Sequence, residues 1–347
     1  MAITTNGPKL ESMGKAAQKT ARILSHLSTQ VKNQALVNIA QALESNQADV
    51  LAANDKDYRT ARADGLNDAM LDRLLLTSER LTTMAKDVRS VAALPDPVGE
   101  IMESNNLANG LHMEKRRVPL GVIGSIYESR PNVTIDITAL CLKSGNACVL
   151  RGGKESLHSN TALVSLIHGA IGDSGLPIDA VQFIDNQDRS LVNSLLQMKE
   201  YISLLIPRGG PGLIRFVADN ATMPVVTGGI GVCHTYIDKT ADSDKAVNIV
   251  FNAKVQRPTV CNALDTVLLH SEVAPECLPL MARELSQVGV ELHCDNRALS
   301  ILGPDNGVNA QPSTPDDWGK EFLSLTAAIK IVDSLEEALD HIDTYGS

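Results

Sequence analysis

From about residue 110 onward, short apolar runs alternate with helical segments, and this alternation restricts the fold more than any other feature of the chain. "VPLGVIGSIY" is a continuous apolar run suited to a strand covered on both faces. "NVTIDITALCLKSG" reads as a helix closed by Gly145, and "ACVLRGG" as the next strand. A helix around 160–172, the strand "AVQFID", a helix near 188–197, "YISLLIP", the helix "PGLIRFVADNA" and "MPVVTGG" continue the pattern. Five strands with four intervening helices predict a doubly wound parallel sheet, an α/β fold. After Gly229 the alternation resumes: "VCHTYID", a helix over 241–255, "DTVLLH", a helix near 274–287, and "VELHC". That predicts a second α/β domain, with 1–229 and 230–347 as the two parts. The segment 303–319 reads as an exposed loop.

Upstream, residues 8–94 read as helices. Val31, Ala35, Leu36, Ile39, Ala40 and Leu43 share one helical face, with Ser28 or Thr29 as cap. Leu81, Met84, Ala85, Val88 and Val91 form another, capped by Thr77. "GLHMEKRRVPLG" reads as a half-exposed ribbon near 105–118.

A net charge of −10 and an aromatic content of 3% argue against a nucleic-acid binder or a partner of anionic membranes. No apolar run reaches the roughly 18 residues of a membrane span. The polar first residues lack the core of a signal peptide. The six cysteines are scattered with no C-x-x-C pair, which points to a reducing cytoplasm and against a disulfide framework or metal site.

Three strand ends carry groups able to meet a ligand. In "LLIPRGGPGLIRF", Arg208, Gly209 and Gly210 lead from a strand into a helix, which makes either an anion cradle or only a tight turn. In "VLRGGKES", Arg151, Gly152 and Lys154 bring two cations to the edge where doubly wound sheets bind ligands. A basic residue after a core strand suits a 2′-phosphate, hence NADP(H) over NAD. In "SIYESRPNVTID", Arg130 and Asn132 flank Pro131 and could hold a carboxylate or an oxyanion, or merely cap a helix. Among the cysteines, Cys261 alone sits at a Pro-marked junction, "VQRPTVCNALDT", after Arg257. Such surroundings can make a reactive thiolate, although a lone cysteine is also compatible with a small packed hydrophobe.

Taken together, "RVPLGVIGSIYESRPNVTIDITALCLKSGNACVLRGGKES", "LIPRGGPGLIRFV", "PVVTGGIGVCHTYID" and "VQRPTVCNALDT" closely resemble the γ-glutamyl phosphate reductase (glutamate-5-semialdehyde dehydrogenase) family of the aldehyde dehydrogenase superfamily. The resemblance runs through nearly the whole chain. It implies a Rossmann-like NADP-binding domain over 1–229, a catalytic α/β domain over 230–347, and a small oligomerisation ribbon. Family members run on for several dozen residues past the point matching Ser347, so the resemblance implies that a C-terminal part lies outside this chain.

The implied activity is NADPH-dependent reduction of L-glutamyl 5-phosphate to L-glutamate 5-semialdehyde, a step of proline biosynthesis. Cys261 would be the acylated nucleophile, with its own N–H and the Asn132 side chain as oxyanion donors. Arg130 and Arg257 would hold the substrate. Arg151, Gly152, Lys154, Arg208, Gly209, Gly210, Gly228 and Gly229 would hold the cofactor. The glutamate 5-kinase upstream becomes a candidate partner, and a homo-oligomer is implied. Hydrolytic aldehyde dehydrogenases carry a water-activating glutamate in Glu-Leu-Gly-Gly-Lys; the matching "VTGGI" places Val226 there. That departure favours the reductase over a hydrolytic NAD(P)-dependent aldehyde dehydrogenase; the C-terminal part outside this chain keeps a catalytically silent truncated homologue as the other alternative.

Overall fold

The computed structural model describes residues 7–228, 231–304 and 307–347. One compact unit ends at Thr227 and the next begins at Gly228.

The first unit starts with five helices, α1 (Gly7–Leu24), α2 (Thr29–Ser45), α3 (Gln47–Ala63), α4 (Asp68–Leu74) and α5 (Ser78–Ala93). The expected caps are in place: Ser28 accepts the Val31 N–H and Thr77 the Arg80 N–H. Each satisfies one backbone donor that the first helical turn leaves without a partner. Ala35, Leu36, Ile39, Ala40 and Leu43 of α2 and Leu81, Met84, Ala85 and Val88 of α5 are buried in one core with the sheet.

Strands β1 (Ile101–Asn106) and β2 (His112–Arg116) form an antiparallel ribbon, so the expected ribbon begins further upstream, at Ile101. Its residues are exposed or half-exposed, including Ile101, Met102 and Met113.

The sheet of this unit comprises β3 (Val122–Tyr127), β4 (Ala147–Arg151), β5 (Val181–Phe183) and β6 (Leu204–Arg208). Helices α6 (Asn132–Lys143), α7 (Leu157–Gly172) and α8 (Ser190–Leu196) connect them, and α9 (Pro211–Asn220) follows β6. All pairs are parallel, in the order β5-β4-β3-β6. The chain therefore winds outward from β3 and returns to the other side of it. That reversal makes the β3–β6 boundary the topological switch point, where such sheets receive ligands beyond the strand ends. The expected fifth strand, "MPVVTGG", is only a bridge of Val225 to Leu205. Leu205 donates to Pro224 O and Val226 donates to Leu205 O, while Pro224 itself has no N–H to extend a ladder.

The second unit has β7 (Cys233–Ile237), α10 (Ser243–Val255), β8 (Leu264–His270), α11 (Ala274–Gln287), β9 (Glu291–Cys294), α12 (Asn296–Leu302), β10 (Ala310–Pro312), β11 (Thr326–Val332) and α13 (Leu335–Tyr345). Its strands are parallel in the order β10-β9-β11-β8-β7, and every residue of β8 is buried. The segment 303–319, expected as a loop, contributes the short edge strand β10 beside β9. A three-residue strand ending in proline gives no alternating signal to read.

Candidate active site

The C-terminal edge of the first sheet gathers most of the expected cofactor and substrate residues. In register, Ile126 of β3 lies beside Arg151 of β4, and Tyr127 lies beside Arg208 of β6. Arg130 and Asn132 follow β3, Gly152 and Lys154 follow β4, and Gly209 and Gly210 follow β6. Arg208, Gly210 and Lys154 are exposed, while Arg130, Asn132, Arg151, Gly152 and Gly209 are half-buried.

The Arg208–Gly210 turn already holds an anion, the carboxylate of Glu128. Gly210, the cap residue of α9, donates its N–H to Glu128 Oε2 at 3.0 Å. A Cβ at Gly209 would come within 2.5 Å of the same oxygen, so this glycine is needed for the carboxylate to approach. Glu155 has a matching role beside β4: it accepts the N–H of Ser129 and, at 2.8 Å, its hydroxyl. Ser129 has φ 43°, a left-handed conformation costly for a non-glycine residue, at the point where the chain turns from β3 towards α6. Gly152 is explained by packing, because a Cβ there would lie 2.1 Å from Asn160 Nδ2 and 3.2 Å from the Tyr127 ring.

Burial lowers the pKa of Arg151, offset by the nearby charge of Glu155, lowered again by Arg189 and offset by Glu128. Its Nε is buried without a hydrogen-bond partner among the described residues. Asn132 donates from Nδ2 to Asp136 Oδ2 at 2.9 Å, which leaves one amide hydrogen for another acceptor. Burial raises the pKa of Asp136. Glu128 and Glu155 were missed as site residues, although both stand inside the motifs that carry Arg130 and Lys154. No spacing rule marks a carboxylate as the occupant of the turn at a neighbouring strand's end.

The second unit carries Cys261 and Arg257 on the turn between α10 and β8, both exposed. The turn is closed by Val260 N–H to Arg257 O and Ala263 N–H to Val260 O. Of the six cysteines, Cys141, Cys148, Cys277 and Cys294 are buried and Cys233 is half-buried, so Cys261 alone is exposed. Gly228 is exposed with open space where a Cβ would stand, and Gly229 lies outside the described residues.

Beneath the turn, the fully buried Lys254 donates from Nζ to Leu264 O at 2.6 Å and lies 3.9 Å from Asp265. Asp265 accepts the N–H groups of Cys233 and Phe322. Burial pushes the lysine pKa down and the aspartate pKa up, each partly offset by the other. This buried pair was also missed, since nothing in "NAKVQRP" distinguishes Lys254 from a solvent-facing lysine.

The model of the aldehyde dehydrogenase family matches residues 4–304. A gamma-glutamyl phosphate reductase of Dehalococcoides mccartyi is 56% identical over 339 residues, 98% of this chain and 80% of that protein. The enzyme of the same name from Photorhabdus laumondii is 52% identical over 338 residues, 97% of this chain and 81% of that protein. The crystal structure of gamma-glutamyl phosphate reductase from Thermotoga maritima superposes with a TM-score of 0.90 at 44% identity, over 97% of this chain and 80% of that one. An acetylating aldehyde dehydrogenase from Geobacillus thermoglucosidasius shares the fold, with a TM-score of 0.66 at 17% identity. With the parallel sheets, the strand-end turns and the exposed Cys261 in place, the chain belongs to the aldehyde dehydrogenase family, among its γ-glutamyl phosphate reductases.

Proposed function

We propose that this chain reduces L-glutamyl 5-phosphate to L-glutamate 5-semialdehyde and phosphate with NADPH, the reductive step towards proline, using Cys261 as nucleophile. The observation that carries the mechanism is the exposure of Cys261 alone among the cysteines. Its thiolate adds to the acyl carbon, the bond to the phosphate oxygen breaks, phosphate leaves with the electron pair, and a thioester remains on Sγ. NADPH, when bound, supplies a hydride to the thioester carbon. Collapse of the resulting thiohemiacetal breaks the C–S bond, releases the aldehyde and returns the thiolate.

Negative charge gathers on the carbonyl oxygen whenever the carbon becomes tetrahedral. The Cys261 N–H and the remaining Asn132 amide hydrogen are the assigned donors, and loss of one such donor costs about 10²–10³ in rate. Arg130 and Arg257 are assigned to the substrate's anionic groups. Val226 is exposed and brings no base, which suits an enzyme whose thioester must outlast contact with water.

The first unit is assigned the cofactor and the second the nucleophile. Three features support an NADP(H) fit in the first unit: the α9 N-terminus that accepts a carboxylate at Gly210, the unpartnered Arg151 Nε, and the exposed Lys154. A cofactor phosphate at Gly210 would displace Glu128; Arg208, Gly209, Gly152, Gly228 and Gly229 are the remaining assigned contacts. The exposed apolar residues of the β1–β2 ribbon support a homo-oligomer, because a two-stranded ribbon is marginal alone in water. Among the described residues no helix is long and apolar enough to cross a membrane. Free cysteines throughout support a cytoplasmic setting, where the kinase that makes the labile acyl phosphate would be the partner.

The test is phosphate-dependent reduction of NADP⁺ with glutamate semialdehyde. Cys261→Ser is expected to abolish turnover and leave NADPH binding unchanged. Phosphate-independent formation of glutamate would support the hydrolytic reading instead, and absence of turnover in the unmodified chain the silent one.

A further inference from the structure

The seat of Cys261 is built by residues well upstream in sequence. Along the β7–β8 pair the register slips: Cys233 lies beside Leu264, but the next residue, His234, lies beside Thr266. Asp265 is therefore the extra residue on β8, and its buried carboxylate takes the N–H of Cys233. Such slips re-aim the side chains that flank them, and they recur beside active sites. Here the start of β7 and the segment before it lie against the Cys261 turn. The Cys233 thiol donates to the carbonyl oxygen of Cys261 at 3.5 Å. Burial raises the Cys233 pKa, with Asp265 and Cys261 adding to the shift, so the thiol keeps the proton that this contact requires.

Gly231 supplies the other side of the seat. A Cβ placed on it would lie 2.1 Å from the Cys261 carbonyl oxygen, 3.2 Å from its carbon and 3.6 Å from the Cys261 Cβ. Gly231 is not among the glycines with a left-handed φ, so its backbone conformation does not demand glycine. The demand comes from the Cys261 carbonyl alone. Ordinary C···O contacts are about 3.3 Å or longer, so a methyl group here would displace the Cys261 peptide by about 1 Å.

We propose that Gly231 and Cys233 are positioning residues for the nucleophile: together they clamp the peptide carbonyl of Cys261 and so restrain its Cα and the direction of its thiol. The inference rests on Cys261 being the nucleophile. The clamp holds the peptide unit through its oxygen, leaving the thiol exposed for attack.

The experiment compares Gly231→Ala, Cys233→Ala, Cys233→Ser and Cys261→Ser in the phosphate-dependent assay. Peptide-resolved iodoacetamide labelling of Cys261, NADPH binding and thermal melts accompany it. Gly231→Ala is expected to lower kcat about 100-fold. Its KM, NADPH affinity, melting temperature and Cys261 labelling should stay close to those of the unmodified chain. Cys233→Ala is expected to lower kcat about twofold to fivefold, as for a weak S–H···O contact, and Cys233→Ser to restore it by supplying a hydroxyl donor. The inference is overturned if Gly231→Ala turns over within about threefold of the unmodified chain, the scatter of a neutral change. It is equally overturned if the loss in kcat comes with a matching loss of stability and cofactor binding. Should Gly231→Ala fail to fold, the Cys233 pair decides: equal kcat in the Ala and Ser variants removes the clamp. Turnover retained by Cys261→Ser overturns the assignment of the nucleophile itself, a result separate from the others.

Discussion

Acidification should loosen the second unit through one buried ring. His341 of α13 is 6% exposed, its Nε2 has no hydrogen-bond partner among the described residues, and three aromatic rings surround it. The ring centroids of His234, Trp318 and Tyr345 lie 5.4, 5.3 and 4.7 Å away. Burial is the main reason its pKa falls from 6.5 to about 4, with His234 and Lys330 adding to the shift. The folded state thus binds fewer protons than the unfolded state between these two values, so stability rises with pH across that window and is lost on descent. With 6.5 for the unfolded chain and about 4 for the folded one, the loss between pH 7 and pH 5 integrates to about 2 kcal/mol. Trp318, the single tryptophan of the chain, sits edge-on to His341 and makes the transition visible by fluorescence. Urea unfolding followed at both pH values should show this loss in the unmodified chain. His341→Phe keeps a ring in the cluster and removes the proton, so its loss should be smaller by about 2 kcal/mol. Equal pH dependence in the two proteins would refute the reasoning. A larger loss in the variant would place the titrating group elsewhere.

Three further changes test other parts of the molecule. Lys154→Glu should shift the cofactor preference from NADPH towards NADH, read as the ratio of kcat/KM values; an unchanged ratio removes Lys154 from the 2′-phosphate. Asn160→Leu should destabilise the first unit by about 2–4 kcal/mol in chemical denaturation. It breaks a buried chain in which Tyr127 meets Thr134 at 2.7 Å, Thr134 donates to Asn160 at 3.0 Å, and Asn160 donates to Ser156 at 3.0 Å. A change no larger than a surface substitution would mean that the network relaxes without cost. Lys254→Met should destabilise the second unit by about 3 kcal/mol, since it leaves Asp265 buried without its cation and Leu264 O without its donor. An unchanged denaturation midpoint would show that Asp265 is held by its two backbone donors alone.

The parts of the fold that could be read in the sequence are those whose physics is local. The caps at Ser28 and Thr77, the helical faces of α2 and α5 and the fully buried strands β3 and β8 each follow from patterns within a few residues. "MPVVTGG" deceived for a local reason as well: it is apolar enough for a strand, yet Pro224 withholds a ladder donor and one bridge is all that forms. The site divides the same way. Strand ends place Arg151, Arg208 and Asn132 at the sheet edge, and those positions follow from the βα alternation. What fills the edge does not follow from it. The glycines of "RGG" at both turns look alike in sequence, but Gly152 yields to Asn160 and Tyr127, whereas Gly209 yields to Glu128 and Leu213. Cys261 shows why local reading stops where it does. Its own neighbours allow either an inert or a reactive thiol, and its exposure separates it from the other five cysteines. The contacts proposed to orient it come from Gly231 and Cys233, next to a one-residue slip at Asp265 between two parallel strands. A register slip has no signature in either strand alone, since it is a property of their pairing. The residues proposed to aim Cys261 are therefore hidden from any reading that treats one segment at a time.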